Sequence, residues 1–188
     1  PGYPPAVPPD PWAFPIGVFP CLCDLRRWPH WSLCLPLHGR RTRLIDFPWL
    51  DQQPYHEDWW VFFGYVGCPD ICPDTLAKLH NAYRRLAVDR RPGVLLIDAT
   101  AAADPAILRQ YAQAFHPDFQ AYAPSPAELQ RLSQRLGAKI TPRADGRGVD
   151  HSSAVYQLRH TESGWLLVRT FQDRRLGPDD FAKALSVR

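Results

Sequence analysis

The chain has 188 residues, of which 45% are hydrophobic and 22% are charged, and its formal net charge is +3. These values are typical of one globular domain with a sizeable core. The 19 arginines and 3 lysines are scattered as short pairs, a pattern that argues against a nucleic-acid-binding stripe. No run of 18 or more apolar residues is present, so the sequence predicts no transmembrane helix.

Residues 1–20 contain eight of the 21 prolines. Because proline lacks a backbone N–H and favours the extended polyproline conformation, we expect an arm or tether there. Residues 21–188 are then expected to form a single domain. Since Pro1 is not a natural start, we also expect that a signal peptide or a membrane anchor has been removed.

The next segment holds three cysteines, Cys21, Cys23 and Cys34. Two short strands around a turn are predicted near them, over residues 31–37 and 42–45. Three interpretations of these cysteines stay open. They are a disulfide across a hairpin, for example Cys23 with Cys34, a second soft-metal site, or no role at all.

The apolar run over residues 59–66 predicts a strand buried on both faces, as in a central parallel sheet. Apolar residues at spacings of three and four predict a helix that begins at about Pro73. The later predicted elements are a strand over 94–98, helices over 106–115 and 125–136, strands over 153–158 and 165–171, and a helix over 178–187. This α/β order predicts a thioredoxin-like fold, a central mixed sheet flanked by helices, with an N-terminal hairpin extension.

Cys68 and Cys72 lie where the buried strand meets the helix. Free N–H groups and the positive end of the dipole at a helix N-terminus favour thiolate over thiol. If the turn between them is helical, their spacing puts both sulfurs on one side. The pair could then bind a soft metal ion or close a disulfide. A pair of buried, unreactive cysteines is the plainer alternative, but a strand end bracketed by proline and aspartate is poorly placed for core packing.

A third ligand for such a metal is sought among the seven histidines. Thiolates select Cu(I) or zinc, imidazole suits copper and zinc, and structural zinc prefers four ligands. His151 stands out because it precedes a predicted strand whose preceding loop, in a thioredoxin-like fold, faces the N-terminus of the redox helix. Asp70 and Asp74 flank the cysteines, but helix capping and dipole compensation explain them without acid–base catalysis.

The segments around these residues resemble one protein family. VFFGYVGCPDICP, residues 61–73, resembles the strand-and-CPxxCP signature of the Sco/SenC copper chaperones. VDHSSAVY, residues 149–156, resembles the family's copper-histidine motif, and LRQYAQAFHPDF, residues 108–119, is similar to its intervening helix and turn. The resemblance covers roughly residues 59–186. Its motifs are specific, because ordinary thioredoxins place two residues between the cysteines and have no such histidine.

The resemblance implies that Cys68, Cys72 and His151 bind one copper ion, as Cu(I) or Cu(II). It implies delivery of that copper to the dinuclear site of cytochrome c oxidase subunit II, or to another copper-accepting protein. A thiol reductant protein is an expected second partner, since a disulfide cannot bind copper as two thiolates. The resemblance also implies a membrane-anchored domain on the periplasmic side of the bacterial inner membrane, or in the equivalent intermembrane space.

Two alternatives from enzyme classes stay open, although a non-enzymatic metallochaperone is favoured over both. A thiol-disulfide oxidoreductase would use Cys68, if it is the more exposed sulfur, to attack and Cys72 to resolve. A peroxidase related to the peroxiredoxins would share the strand–cysteine–helix plan. The second cysteine and His151 argue against that peroxidase.

The chain departs from the family after the predicted strand over residues 94–98. The family usually has an Asp-Pro-x-Arg-Asp stretch there, whereas Asp98 is followed here by ATAAAD. The first aspartate is kept, and the arginine and second aspartate are missing or shifted. Because this loop should lie near the metal, we expect partner docking or support of the site to differ.

Overall fold

A computed structural model describes residues 43–144, 148–172 and 175–186. The proline-rich arm over residues 1–20, the cysteines Cys21, Cys23 and Cys34, and the first strand of the predicted N-terminal hairpin lie outside the described residues. The second strand of that hairpin is present as β1 (Arg43–Ile45). It pairs antiparallel with β8 (Gly164–Phe171), so this part of the predicted extension is an edge strand of the main sheet.

The central sheet of the described residues is mixed. Its remaining strands are β2 (Asp58–Gly64), β3 (Gly93–Asp98), β4 (Gln120–Tyr122) and β7 (Val155–Thr161). The strand order is β1-β8-β7-β2-β3-β4, with β2, β3 and β4 parallel to one another and β7 antiparallel to both β2 and β8. The parallel start and the β7–β8 hairpin confirm the predicted mixed α/β architecture.

A second, smaller sheet consists of β5 (Ile140–Pro142) and β6 (Val149–His151), which pair antiparallel. Neither strand was predicted, and β4 was not predicted either. Each of the three has only three residues, too few to show an alternation of apolar and polar side chains. Strand β6 carries His151, one of the three predicted metal ligands.

Helices cover both faces of the central sheet. They are α1 (Pro48–Asp51), α2 (Ile71–Arg85), α3 (Pro105–Gln113), α4 (Pro126–Leu136) and α5 (Pro178–Ser186). Side chains cap two of these helices: Asp104 accepts the N–H groups of Ala106 and Ile107 at the start of α3, and Ser125 forms a capping box with Glu128 in α4. Helix α2 begins at Ile71, two residues before the predicted start. In the described residues, no helix combines the length and the apolar character needed to cross a membrane.

The core lies on both sides of β2, whose seven residues are all buried. Val61 and Phe63 face a cluster that includes side chains of α1 and α4, while Trp60 and Phe62 face a cluster with α2, α3 and α5. This two-sided burial confirms the central strand predicted from the apolar run. It also fixes the carboxyl end of β2, from which the chain turns into α2.

Candidate metal centre

The site begins at Gly64, the last residue of β2, which pairs with Asp98 at the end of β3. Gly64 leaves room for the side chain of Cys72. A Cβ atom at position 64 would lie 3.0 Å from Sγ of Cys72, 2.9 Å from Phe62 and 3.0 Å from Leu96. The absence of a side chain here therefore lets the cysteine approach the sheet.

Cys68 lies in the turn before α2, and its N–H donates to the carbonyl of Tyr65 at 3.3 Å. Cys72 is the second residue of the helix, whose N-cap is Asp70. Their spacing was expected to put both sulfurs on one side if the turn between the cysteines were helical. That turn is helical only from Ile71 onward. The sulfurs still come together because the turn folds back toward β2. Cys68 is half-buried and Cys72 is fully buried.

His151, the last residue of β6, completes the group. Its Nε2 lies 3.3 Å from Sγ of Cys72 and 3.8 Å from Sγ of Cys68. The three potential ligand atoms lie within 4.8 Å of one another. His151 was expected in the loop before a long strand, but it belongs to β6 and pairs with Ile140. The structure therefore brings all three predicted residues together, with the histidine presented by the small sheet.

The tautomer of His151 follows from its second ring nitrogen. Nδ1 lies 3.1 Å from the carbonyl oxygen of Ser152, an acceptor that requires the proton on Nδ1. Nε2 then carries a lone pair directed at the two sulfurs. Burial lowers the pKa of the imidazole, so the ring stays neutral at pH 7. A neutral imidazole held by a hydrogen bond at its other nitrogen is the form that binds metals.

Burial also raises the pKa of the Cys72 thiol, and a hydrogen bond with Cys68 raises it further. A backbone hydrogen bond with Tyr65 acts in the opposite direction but does not reverse the shift. In the metal-free protein, Cys72 is therefore a thiol at neutral pH. Binding of a metal ion by its sulfur requires the release of that proton.

Two aromatic side chains border the histidine of the site, and neither was predicted to have a role. The rings of Phe62 and Tyr65 meet the ring of His151 at centroid distances of 5.8 and 5.9 Å. Aromatic residues in or next to a buried strand have no distinctive spacing, so no local pattern distinguishes these two from core residues.

The outer edge of the site is polar. Arg143 donates from Nε to Oδ1 of Asp150 at 2.9 Å, and its N–H donates to the carbonyl of Gly148 at 3.1 Å. Arg143 and Asp150 line a pocket of about 100 Å³ that also includes Cys68 and His151. The half-buried sulfur and the imidazole are thus open to an incoming group, which an exchangeable metal site requires.

The loop after β3 lies at the same end of the sheet. Asp98 is fully buried, and its carboxylate accepts hydrogen bonds from the N–H and hydroxyl of Thr100 and from the N–H groups of Ala102 and Ala103. The N–H of Ala99 donates to the carbonyl of Gly64 at 2.8 Å. The buried carboxylate of Asp98 therefore organises this loop.

The donor set fits a soft metal ion. Two sulfurs and one imidazole nitrogen are within reach of a common centre, and no further histidine, cysteine or carboxylate of the described residues joins the group. Structural zinc sites have four protein ligands, whereas thiolates with imidazole also suit copper. The fold and the site together define a thioredoxin-like domain with a Cys-Cys-His cluster at the start of α2.

Comparison with known proteins identifies the family. Residues 50–185 match the SCO1/SenC family, and the chain belongs to that family. A Stutzerimonas stutzeri protein named for copper binding is 35% identical over 98 residues, which cover 49% of this chain. The same residues cover 48% of that protein, so the chain spans about half of its length.

Solved structures agree with this assignment. The apo Sco1 protein of Thermus thermophilus is 29% identical with a TM-score of 0.53, and the match covers 69% of this chain and 74% of that one. Yeast Sco1 with copper bound is 24% identical with a TM-score of 0.59, and the match covers 70% and 77% of the two chains. These likenesses confirm the predicted thioredoxin-like fold.

Proposed function

We propose that this protein is a copper metallochaperone that binds one copper ion through the sulfurs of Cys68 and Cys72 and Nε2 of His151. The observation that supports this most directly is the approach of the three donor atoms to within 4.8 Å of one another. Membership of the SCO1/SenC family and the copper named for the Stutzerimonas relative support copper as the ion.

The geometry suits a site that loads and unloads. Cys68 is half-buried and lies in a turn, so a partner's ligands can reach its sulfur, while Cys72 and His151 are held by the start of α2 and by β6. Loading requires both cysteines to be reduced and the proton on Cys72 to leave. The copper ion is the cargo, and the chain supplies the three donor atoms and their orientation.

Metal analysis of the reduced protein tests the binding site. We expect about one copper per chain in the wild type and none in the Cys68→Ser/Cys72→Ser variant. The Cys21→Ser/Cys23→Ser/Cys34→Ser variant is the matched control, and it should keep its copper. Equal copper in the wild type and the Cys68/Cys72 variant would contradict the proposal, and loss of copper only in the control would move the site to the N-terminal cysteines.

We propose cytochrome c oxidase subunit II, or another copper-accepting protein, as the recipient. A thiol reductant protein would restore the Cys68–Cys72 pair after oxidation. This delivery is supported by the family resemblance. Incubation of the copper-loaded chain with the isolated copper domain of subunit II should transfer the metal, as measured after the two proteins are separated. Retention of all copper on this chain would contradict the delivery step.

We further propose that the domain works on the periplasmic side of the bacterial inner membrane, or in the equivalent intermembrane space, as a membrane-anchored protein. The family resemblance supports this location. Fractionation of cells that express the full-length protein, followed by protease treatment of spheroplasts, tests it. Protection of the domain from external protease would contradict it.

One observation favours a second function, thiol-disulfide exchange. Cys68 is the more exposed sulfur and Cys72 hydrogen-bonds it, which are the positions of an attacking and a resolving cysteine. The Cys68 thiolate would attack a partner disulfide, and Cys72 would then displace the partner as a dithiol, leaving the Cys68–Cys72 disulfide. If metal-free protein, with a thiol reductant as electron donor, reduces partner disulfides catalytically and His151→Ala does so equally well, this second function is supported over copper handling.

A further inference from the structure

We propose that Tyr65 is a positioning residue for the copper site, a role that rests on the proposed set of three ligands. Tyr65 lies in the turn that follows β2 and is 7% exposed. It contacts each proposed ligand through a different part of the residue. Its ring holds the small β5–β6 sheet against the turn that carries the cysteines.

The backbone of Tyr65 forms hydrogen bonds with the two cysteines. Its carbonyl accepts the N–H of Cys68 at 3.3 Å, which closes the turn before α2. Its backbone also forms a hydrogen bond with Cys72. The backbone of this one residue thus contacts both cysteines, although one belongs to a turn and the other to a helix.

The ring of Tyr65 packs against the histidine. It meets the imidazole of His151 edge-on, with the ring centroids 5.9 Å apart and the planes at 80°. This is the geometry that aromatic pairs prefer. The cysteine and histidine segments are 79 to 83 residues apart in sequence, so noncovalent contacts such as this one must set their spacing.

Gly148 shows how closely the small sheet rests on this ring. A Cβ atom at position 148 would lie 2.9 Å from both Cζ and the hydroxyl oxygen of Tyr65, closer than real contacts allow. The φ angle of Gly148 is +96°, a conformation that favours glycine. Gly148 immediately precedes β6, so the position of His151 depends on how this residue meets the tyrosine ring.

We expect the ring of Tyr65, and not its hydroxyl, to position the ligands. Tyr65→Leu should weaken copper binding by about tenfold to a hundredfold, the usual effect of losing a residue that orients a metal ligand. Tyr65→Phe should keep most of the affinity because it retains the ring. Tyr55→Leu is the matched control, since Tyr55 is 78% exposed and should have no effect.

Two measurements on these variants test the proposal: copper affinity by competition with a chelator, and amide hydrogen exchange of residues 149–151 in metal-free protein. We expect faster exchange in Tyr65→Leu and unchanged exchange in Tyr65→Phe. Wild-type affinity and exchange in Tyr65→Leu would overturn the proposal, and so would equal losses in the leucine and phenylalanine variants.

A second pair of variants covers the case in which Tyr65→Leu does not fold. Gly148→Ala and Gly164→Ala both place a side chain at a positive φ, which is +114° at Gly164. The added carbon clashes with the ring of Tyr65 at position 148 but has nothing within 4 Å at position 164. We expect Gly148→Ala to weaken copper binding more than Gly164→Ala. Equal effects would overturn the role of the ring.

His151→Ala, measured alongside, separates the two proposals. If it keeps full affinity, the ligand assignment fails, while the exchange data still report whether Tyr65 holds the small sheet. If it loses affinity and Tyr65→Leu does not, the positioning role alone fails.

Discussion

Sγ of Cys72 lies 3.3 Å from Nε2 of His151, although 79 residues separate them in the chain. Cys72 comes from the first turn of α2, and His151 comes from a three-residue strand of the small sheet. The contact joins a fully buried thiol to a neutral imidazole whose other nitrogen is already bound to Ser152. In the metal-free protein this contact allows a hydrogen bond between the thiol and the imidazole nitrogen, and it also brings two donor atoms within reach of one metal ion.

Copper affinity should rise with pH. The pKa of the Cys72 thiol is raised by burial, so copper must displace a proton that is still bound at neutral pH. If one proton is released per ion, affinity increases about tenfold per pH unit below that pKa. Chelator competition between pH 6 and 8, corrected for the titration of the chelator, measures this. An affinity that does not change over this range would show that Cys72 is already a thiolate or is not a ligand.

The metal-free protein should be most stable between about pH 6.5 and 8.5. Burial lowers the pKa values of His151 and His116, so the unfolded chain binds more protons and stability falls as the pH drops below about 6.5. The raised pKa of Cys72 has the opposite consequence, since the unfolded thiol loses its proton first and stability falls as the pH rises above about 8.5.

Urea unfolding of metal-free, reduced protein at a series of pH values measures this profile. The Cys72→Ala variant should lose the decline between about pH 8.5 and 10 and keep the acidic one. An unchanged alkaline decline in that variant would assign it to other groups and contradict the prediction for Cys72.

Gly64→Ala should destabilise the fold and disturb the site. The new methyl group would lie 3.0 Å or less from Phe62, Cys72 and Leu96, and overpacking of a core typically costs about 1–3 kcal/mol. Because Cys72 must move, copper affinity should fall as well. Gly177→Ala is the matched control, since its added carbon would meet only Asp180 at 3.9 Å. Equal free energies of unfolding for the two variants would contradict this account of the site.

Asp98→Asn should destabilise the loop after β3. The amide keeps one acceptor oxygen, so it cannot serve all of the donors that the buried carboxylate now binds on Thr100, Ala102 and Ala103. A buried donor without a partner costs about 1–3 kcal/mol. Asp89→Asn, at an exposed aspartate, is the control and should change the free energy of unfolding little. If both variants unfold at the same urea concentration, Asp98 does not organise this loop.

The central strand and the main helices could be predicted because their apolar patterns extend over many residues. The apolar run that became β2 has no polar interruption, and the caps at Asp104 and Ser125 mark their helices by residue type alone. The three-residue strands could not be predicted. Their existence depends on pairing between distant segments, such as Ile140 with His151, and not on a local pattern.

The three proposed ligands could be predicted from a short motif and from position in the fold, and not from a long apolar pattern. Cys68 and Cys72 were recognised by their spacing at a strand–helix junction, and His151 by its place in the fold and by the family motif. Tyr65 was missed as a functional residue because its role depends on contacts with Gly148 and His151, more than 80 residues away. Sequence patterns of one chain identify the donors, whereas the residues that orient them become visible only in three dimensions.

Whether Cys68, Cys72 and His151 bind copper is tested most directly with two variants, His151→Ala and His160→Ala. Their copper affinities are compared by chelator competition with reduced protein. His160 is an exposed histidine in β7 and is not part of the cluster. We expect His151→Ala to lose at least tenfold in affinity, with its fold intact by circular dichroism, while His160→Ala binds like the wild type. Wild-type affinity in His151→Ala would show that Cys68, Cys72 and His151 do not form the copper site.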